Sequence, residues 1–375
     1  MRVMIVVTHL LGTGHLARAT AIARAFVNAG HDVRLVTGGA PVPWMVDPAV
    51  PMMQLPPLRS DGTNFTQLLD DQDQIADPDY LARRAAQLCT ITGKFAPQIL
   101  ITELFPFGRR VLRNEFIALL ETASAGNAVI LASVRDILAP PSKPARAQQS
   151  ETLVEIYYDG VLVHSDPSVT RLEDSWPVSK WLKSRLIYTG FVTPAATTPP
   201  SNALARGDIV VSAGGGDVGT ALFEAAIEAS EASRDLNWRV LVGGQDANAR
   251  IQTLPNNSPA LIEPVRPDFR SLLSQAGASV SLCGYNTALD VLQAGVPAVF
   301  APFEEGGEVE QTLRARSLSA LPGIAVLPTS DLNPEHLLET VRAVIAAPAR
   351  APRQTGFDGA VQTVAKAVAL AAGAA

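Results

Sequence analysis

The chain opens on five consecutive apolar residues, Val3 to Val7, mostly β-branched. A short run that is apolar at every position, rather than at alternate ones, predicts a strand buried on both faces. The turn Leu11-Gly12-Thr13-Gly14-His15 follows, and then Leu16, Ala19, Ile22, Ala23 and Phe26 recur at helical spacing, with Arg18 and Arg24 off that stripe. Gly30 suits a left-handed helix stop, and Val33 to Thr37 forms a second strand. Further apolar runs at Ile99–Ile101, Ala128–Ala132 and Gly160–Val163 alternate with longer helical stretches. That alternation predicts an α/β domain with a parallel sheet covered by helices.

The same grammar restarts after Thr-Pro-Ala-Ala-Thr-Thr-Pro-Pro-Ser at 193–201, whose prolines interrupt helix and ladder alike. Ile209 to Ser212 is a strand, Ala213 to Gly219 a glycine loop, and a helix runs from Thr220 to about Ser230. Strands follow at Arg239–Val242, Ser279–Ser281 and Ala298–Phe300. The expected division is an N-terminal domain over 1–192, a linker over 193–201 and a C-terminal domain over 202–357. An alanine-rich helix over 358–375 is able to pack back on the first domain.

Composition agrees with this division. A single core stops growing near ~250–300 residues, so a chain of 375 predicts two domains. With 47% hydrophobic and 18% charged residues, the chain cannot be a disordered polymer. A net charge of −6 excludes a broad basic footprint, so no nucleic acid is expected as a partner. Cys89 and Cys283 stand far apart, which argues against a disulfide framework or a thiolate zinc site and for a reducing, cytoplasmic setting. The mean hydropathy of +0.17 raises the question of a membrane. Its longest stretch without charge, Ser271 to Leu289, contains a polar turn, so no spanning helix is expected. Arg2 ahead of Val3–Val7 imitates a leader, but Thr8, His9 and a glycine loop follow at once without a cleavage site.

Glycine loops at helix N-termini attract phosphate, because free backbone N–H groups and the helix dipole face the ligand and no side chain blocks its approach. Gly12, Thr13 and Gly14 form one such loop, and Gly214, Gly215, Gly216 and Asp217 the other. The first imitates a dinucleotide fingerprint, yet its second strand ends Val36-Thr37-Gly38-Gly39 without the acid that would hold a ribose, which weighs against a nicotinamide cofactor. The alternative for each loop is a tight turn and nothing more. His15, in the first helical turn, is the candidate general base, since a helix N-terminus disfavours imidazolium. Glu103 closes a strand and is able to orient His15, hold a substrate hydroxyl or sit solvated in a loop. From Ser281 to Phe303 the chain places the Gly284 turn, Asn286 or Thr287 as a helix cap, and Asp290 one turn into the helix. Glu310 and Gln311 follow an acidic, glycine-containing loop and are candidates for gripping sugar hydroxyls. Asp71-Gln72-Asp73 matches the letters of a metal clamp but lies in a polar stretch far from the loops, so it is expected at the surface and no metal site is assigned.

These motifs resemble the GT-B-fold glycosyltransferases, and within them the MurG-like branch. The features are Gly12-Thr13-Gly14-His15, Ser212 to Asp217, and Cys283 to Phe303 with Glu310-Gln311, in the family's order and across nearly the whole chain. Gly284 to Thr287, Glu305 to Thr312, Glu103 to Arg110 and Ser133 to Ile137 are similar to a group of predicted bacterial glycosyltransferases. The resemblance implies two Rossmann-like domains with parallel sheets facing a central cleft. It implies that Asp290 accepts ribose hydroxyls, that Gly214–Gly216 and the Gly284 turn approach a diphosphate, and that Glu310-Gln311 contact the sugar. The chain departs from MurG in its sparser first glycine loop and in Asp290, where glutamate is usual.

The expected chemistry is metal-independent, inverting transfer of a hexosyl group from a nucleoside-diphosphate sugar, UDP-linked by preference, with His15 and Glu103 catalytic and no further cofactor. The acceptor is open among a lipid-linked sugar, a glycan and a small molecule, with peripheral contact at the inner face of a membrane allowed. Closure of the two domains about 193–201 is expected. Two alternatives share the architecture: a sugar-nucleotide 2-epimerase, and a catalytically silent sugar-nucleotide-binding protein.

Overall fold

The computed structural model of the chain describes residues 1–375 apart from 11–12, 61–66, 194–206, 215–217, 245, 256, 305–307, 354, 374–375 and the side chain of Trp44. It divides into two compact units, Met1–Pro194 with Gly356–Ala375, and Ala195–Thr355. Nearly all of the expected linker lies outside the described residues.

In the first unit β1 (Arg2–Val7), β2 (Asp32–Gly39), β3 (Met52–Leu58), β4 (Ile99–Glu103), β5 (Val129–Arg135), β6 (Gly160–His164) and β7 (Leu186–Tyr188) form one sheet. Its order is β3-β2-β1-β4-β5-β6-β7, with every pair parallel. Helices α1 (Gly14–Asn28), α2 (Pro78–Phe95), α3 (Arg113–Ala125), α4 (Pro144–Tyr157) and the single turn α5 (Lys180–Lys183) connect the strands. The opening apolar run behaves as a doubly buried strand must: Met4 and Val6 enter one core, Val3, Ile5 and Val7 the other. β3 was not expected. It carries Pro56 and Pro57 and lies at the sheet edge, where a missing N–H is tolerated.

Arg84 of α2 is fully buried and binds this core to the loops above it. Its guanidinium donates to Glu115 of α3 at 2.7 Å, to the Gly38 carbonyl at 2.8 Å, to the Pro56 carbonyl and to Thr8 Oγ1 at 3.0 Å. Gly38 is obligatory here, since any Cβ would occupy the space of the guanidinium. Burial pushes the Glu115 carboxyl up against the opposing pull of Arg84.

In the second unit β8 (Ile209–Ser212), β9 (Trp238–Val242), β10 (Leu261–Pro264), β11 (Ala278–Ser281), β12 (Ala298–Phe300) and β13 (Ile324–Val326) form a parallel sheet in the order β10-β9-β8-β11-β12-β13. Its helices are α6 (Thr220–Ala232), α7 (Ala247–Thr253), α8 (Phe269–Leu273), α9 (Tyr285–Ala294), α10 (Glu310–Leu318) and α11 (Pro334–Ala346). The chain then re-enters the first unit. Phe191 N–H donates to the Gly356 carbonyl at 2.7 Å and Gly359 N–H to the Phe191 carbonyl at 3.0 Å. A side chain at Gly359 would strike the Gly190 carbonyl, so glycine admits the final helix α12 (Gly359–Gly373) at this junction. Val364, Ala367 and Ala371 of α12 share a core cluster with Leu16, Ala19, Ile22 and Phe26 of α1.

Removing one partner of a buried ion pair costs about 3–5 kcal/mol, because the other charge is left uncompensated. Arg84→Met is therefore expected to lower unfolding stability by about that amount, read as a drop in the urea midpoint at unchanged slope. An unchanged midpoint would contradict the central role of Arg84.

Candidate functional site

In each sheet the strand order reverses once, between β1 and β4 in the first and between β8 and β11 in the second. Such switch points open a crevice beyond the carboxyl ends of the strands, where open α/β sheets bind ligands. In the first unit β1 leads into α1, whose second residue is His15, and β4 ends on Glu103. The topology thus brings together two residues 88 apart in sequence: His15 Nδ1 lies 2.8 Å from Glu103 Oε1.

Glu103 is buried, with 2% of its side chain exposed, which excludes a solvated loop acid. Arg18 of α1 forms an ion pair with the same oxygen, and Ser133 of β5 donates to Oε2 at 2.6 Å. Burial opposes ionisation of Glu103, but the Arg18 guanidinium and the contact with His15 prevail and hold the carboxyl well below the usual range. Burial pushes the His15 imidazole down to about 3, against the raising effect of Glu103. The helix N-terminus acts in the same direction as that burial. His15 is therefore neutral near pH 7, with Nδ1–H donating to the carboxylate. Its Nε2 has no partner among the described residues and keeps access to solvent. A neutral imidazole, with one nitrogen held by a carboxylate and the other open, can accept a proton from a bound hydroxyl.

Arg18 lies off the apolar stripe, yet it is 5% exposed and neutralises Glu103. The three-residue spacing His15-x-x-Arg18 is the sequence signal that places both on one side of α1. Arg109 was also missed. It adopts a left-handed conformation (φ 58°) and donates from Nε to the Thr8 carbonyl at 2.6 Å. Burial lowers its pKa to about 10, with Glu103 opposing. Thr13 is the N-cap of α1 but makes no side-chain cap bond, and Gly14 is exposed with open space where a Cβ would stand. Gly12 lies outside the described residues.

In the second unit the loops after β8 and β11 approach one another: a Cβ on Gly214 would lie 3.9 Å from Thr287 Oγ1. Gly214 has φ +78°, a conformation that favours glycine. Gly215, Gly216 and Asp217 lie outside the described residues. Gly284, rather than Asn286 or Thr287, is the N-cap of α9, and no side chain caps that helix. The amides of Tyr285, Asn286 and Thr287 thus fall in the first turn, where N–H groups have no intrahelical acceptor. Arg314 Nη1 donates to the Cys283 carbonyl at 2.9 Å and braces the turn from beneath. A cavity of about 240 Å³ beside these loops is lined by Gly219, Thr220, Leu282, Ala301, Phe303 and Leu332 among others.

Asp290 is buried on α9 and its Oδ1 pairs with Arg270 of α8 at 2.8 Å, a partner the sequence did not disclose. Burial raises its pKa to about 6, with Arg270 opposing. Glu310 and Gln311 begin α10. Gln311 Oε1 accepts from the Phe303 amide at 3.2 Å, which ties that helix to the end of β12, while 305–307 lie outside the described residues. Asp71 and Asp73 are exposed, and Asp73 pairs with Arg59. No cluster able to hold a metal ion occurs among the described residues.

Residues 210–368 match the glycosyltransferase family 28 C-terminal domain. The chain has the GT-B fold and carries that family's C-terminal domain. A UDP-N-acetylglucosamine–N-acetylmuramyl-(pentapeptide) pyrophosphoryl-undecaprenol N-acetylglucosamine transferase of Brucella anthropi is 30% identical over 174 residues, 42% of this chain and 46% of that protein. Its counterpart in Corynebacterium efficiens is 29% identical over 134 residues, 34% of this chain and 37% of that one. The matches thus span less than half of these relatives. Among solved structures, the glycosyltransferase VinC in complex with DTDP superposes with a TM-score of 0.63 at 16% identity, covering 99% of this chain and 100% of VinC. Acinetobacter baumannii MurG gives 0.61 at 16% identity, covering 98% and 94%. The family 28 domain thus extends past β13 and α11 into α12.

The buried histidine sets a pH test. An imidazole whose folded pKa lies below its unfolded value of 6.5 binds fewer protons folded than unfolded. Its stabilising contribution is therefore complete above 6.5 and lost as pH falls towards about 3. Stability is expected to drop between pH 6.5 and 5, and His15→Gln should flatten that slope by nearly one proton, about 1.4 kcal/mol per pH unit. Urea titrations at pH 5, 6 and 7 measure it; an unaltered slope in the variant would mean that His15 titrates normally.

Proposed function

We propose that this protein is a glycosyltransferase that moves a hexosyl group from a nucleoside-diphosphate sugar, UDP-linked by preference, to an acceptor hydroxyl. The observation that carries the reading is the neutral His15, held by the ionised Glu103 at the switch point of a GT-B first domain. His15 Nε2 takes the proton of the acceptor hydroxyl as the oxygen bonds to the anomeric carbon. The bond from that carbon to the diphosphate breaks, and the nucleoside diphosphate leaves with the electron pair. Attack opposite to the leaving group inverts the anomeric centre. Amides at the N-terminus of α9 and the loop after β8 offer donors to the departing diphosphate, a form of electrostatic stabilisation that needs no metal ion. Asp290 accepts from the ribose hydroxyls, and Glu310 and Gln311 contact the sugar.

The relatives named for pyrophosphoryl-undecaprenol acceptors support an acceptor on a lipid-linked sugar, and the proposal places the enzyme in the cytoplasm at the inner face of a membrane. Among the described residues no helix is long and apolar enough to cross a membrane, and the contact proposed with such an acceptor is peripheral.

Thermal unfolding with UDP, dTDP and GDP tests the donor assignment. A ligand present at a hundred times its Kd adds about 2.7 kcal/mol of stability, a shift of a few degrees for units of this size. One diphosphate is expected to stabilise the wild type and His15→Ala alike, and Asp290→Ala should lose most of that shift. With the donor so identified, His15→Ala is expected to cut turnover by about 10²–10⁴. The proposal fails if none of the diphosphates shifts the transition, or if His15→Ala turns over undiminished.

A further inference from the structure

Behind Glu103 the carboxyl ends of β5 and β6 and the first residue past β7 carry a row of polar side chains. Ser133 is paired directly with Glu103 in the sheet register, so the two lie on the same face. Ser133 Oγ lies 2.6 Å from Glu103 Oε2 and 2.9 Å from His164 Nε2, and His164 Nδ1 lies 2.8 Å from Thr189 Oγ1. Ser133, His164 and Thr189 are all buried, at 1%, 0% and 3% exposure. A parallel sheet covered on both faces has no structural need for such a row. Apolar residues would satisfy the same positions without desolvating polar groups.

The direction of every proton in the row follows from the carboxylate at its end. Ser133 has one hydroxyl proton, and the ionised Glu103, which can only accept, is its strongest acceptor. The Ser133 oxygen must then accept from His164 Nε2–H. Burial keeps His164 neutral, with a pKa pushed down to about 3, so its Nδ1 carries no proton and accepts from the Thr189 hydroxyl. All the donors thus point one way, from Thr189 through His164 and Ser133 to Glu103.

We propose that Ser133 and His164 are positioning residues for His15: by fixing the second oxygen of Glu103 they hold the first against Nδ1–H and leave Nε2 as the open nitrogen. The inference rests on reading His15 as the proton acceptor, since only then does the choice of tautomer matter to the reaction. Without the Ser133 donor, nothing fixes the second oxygen, the Glu103 carboxylate can turn about its terminal bond, and His15 is free to exchange between its two neutral tautomers.

The test requires no substrate. In full-length protein labelled with ¹⁵N-histidine at pH 7, the wild type is expected to show His15 as the single Nδ1–H tautomer with a slowly exchanging ring proton, assigned through its loss in His15→Ala. Ser133→Ala and His164→Leu should convert that signal to an averaged or exchange-broadened one, whereas Ser133→Thr and His164→Gln, which keep a donor in place, should retain it. Circular dichroism and the urea midpoint identify variants that are still folded. Should His164→Leu not fold, Ser133→Ala and the near-isosteric Thr189→Val carry the comparison. An unchanged His15 signal in folded Ser133→Ala overturns the proposal. Undiminished turnover by His15→Ala would instead sink the assignment of the base, while leaving the tautomer result standing.

Discussion

A negative charge sealed inside a protein must be matched, and Glu103 is such a charge. Its burial would drive the carboxyl towards the neutral form, at a cost of several kcal/mol for an unpaired ion. Three groups prevent this: the Arg18 guanidinium, the Ser133 hydroxyl and the His15 imidazole. Each comes from an element fixed by the order of the parallel sheet. Arg18 and His15 share one turn of the helix after β1, while Glu103 ends β4 and Ser133 lies opposite it two residues before the end of β5. The reversal of strand order between β1 and β4 places that helix over the ends of the other strands. The geometry around His15 is therefore a consequence of topology as much as of the local sequence.

The second unit treats its buried acid in the opposite sense. Asp290 also has an arginine partner, but burial prevails and its pKa rises to about 6. Glu103 carries three partners on two oxygens, whereas among the described residues Asp290 is paired with Arg270. One carboxylate is thus locked in the ionised form, and the other stands within reach of the cellular pH range. Environments that move acids to different pKa values are a common way to assign them different tasks. For Asp290 the difference fits a group that gains further donors when a polyhydroxylated ligand arrives.

Much of this was legible in the sequence. Nine strands are marked by apolar runs, and the repetition of strand, glycine loop and helix gave the two sheets. The four strands that escaped are β3, β7, β10 and β13: β3 carries two prolines, β7 and β13 are three residues long, and β10 has no buried residue. All four lie at or beside sheet edges or are short enough to lack a periodic signal. His15 and Glu103 were visible from their places at a helix start and a strand end. Their coupling was not, because it depends on a strand order that no local pattern encodes. Arg18, His164 and Arg270 were less visible for a related reason: an ionisable residue is ordinarily solvated, and only the strand order buries these against their partners. His164 is 0% exposed because its strand, β6, lies between β5 and β7 in a covered sheet.

The return of the chain to its first unit has a consequence for synthesis. Helix α1 presents His15 on one side and on the other rests against α12, which lies beyond all of the second unit in sequence. A ribosome therefore releases the seven-stranded sheet long before the helix that covers part of its core. Until residues past 356 emerge, Leu16, Ala19 and Ile22 have no permanent neighbour on that side, and the nascent first unit must wait with an apolar seam open to chaperones or to misassociation. The second unit, contiguous in sequence, is free to finish folding first even though it is made later.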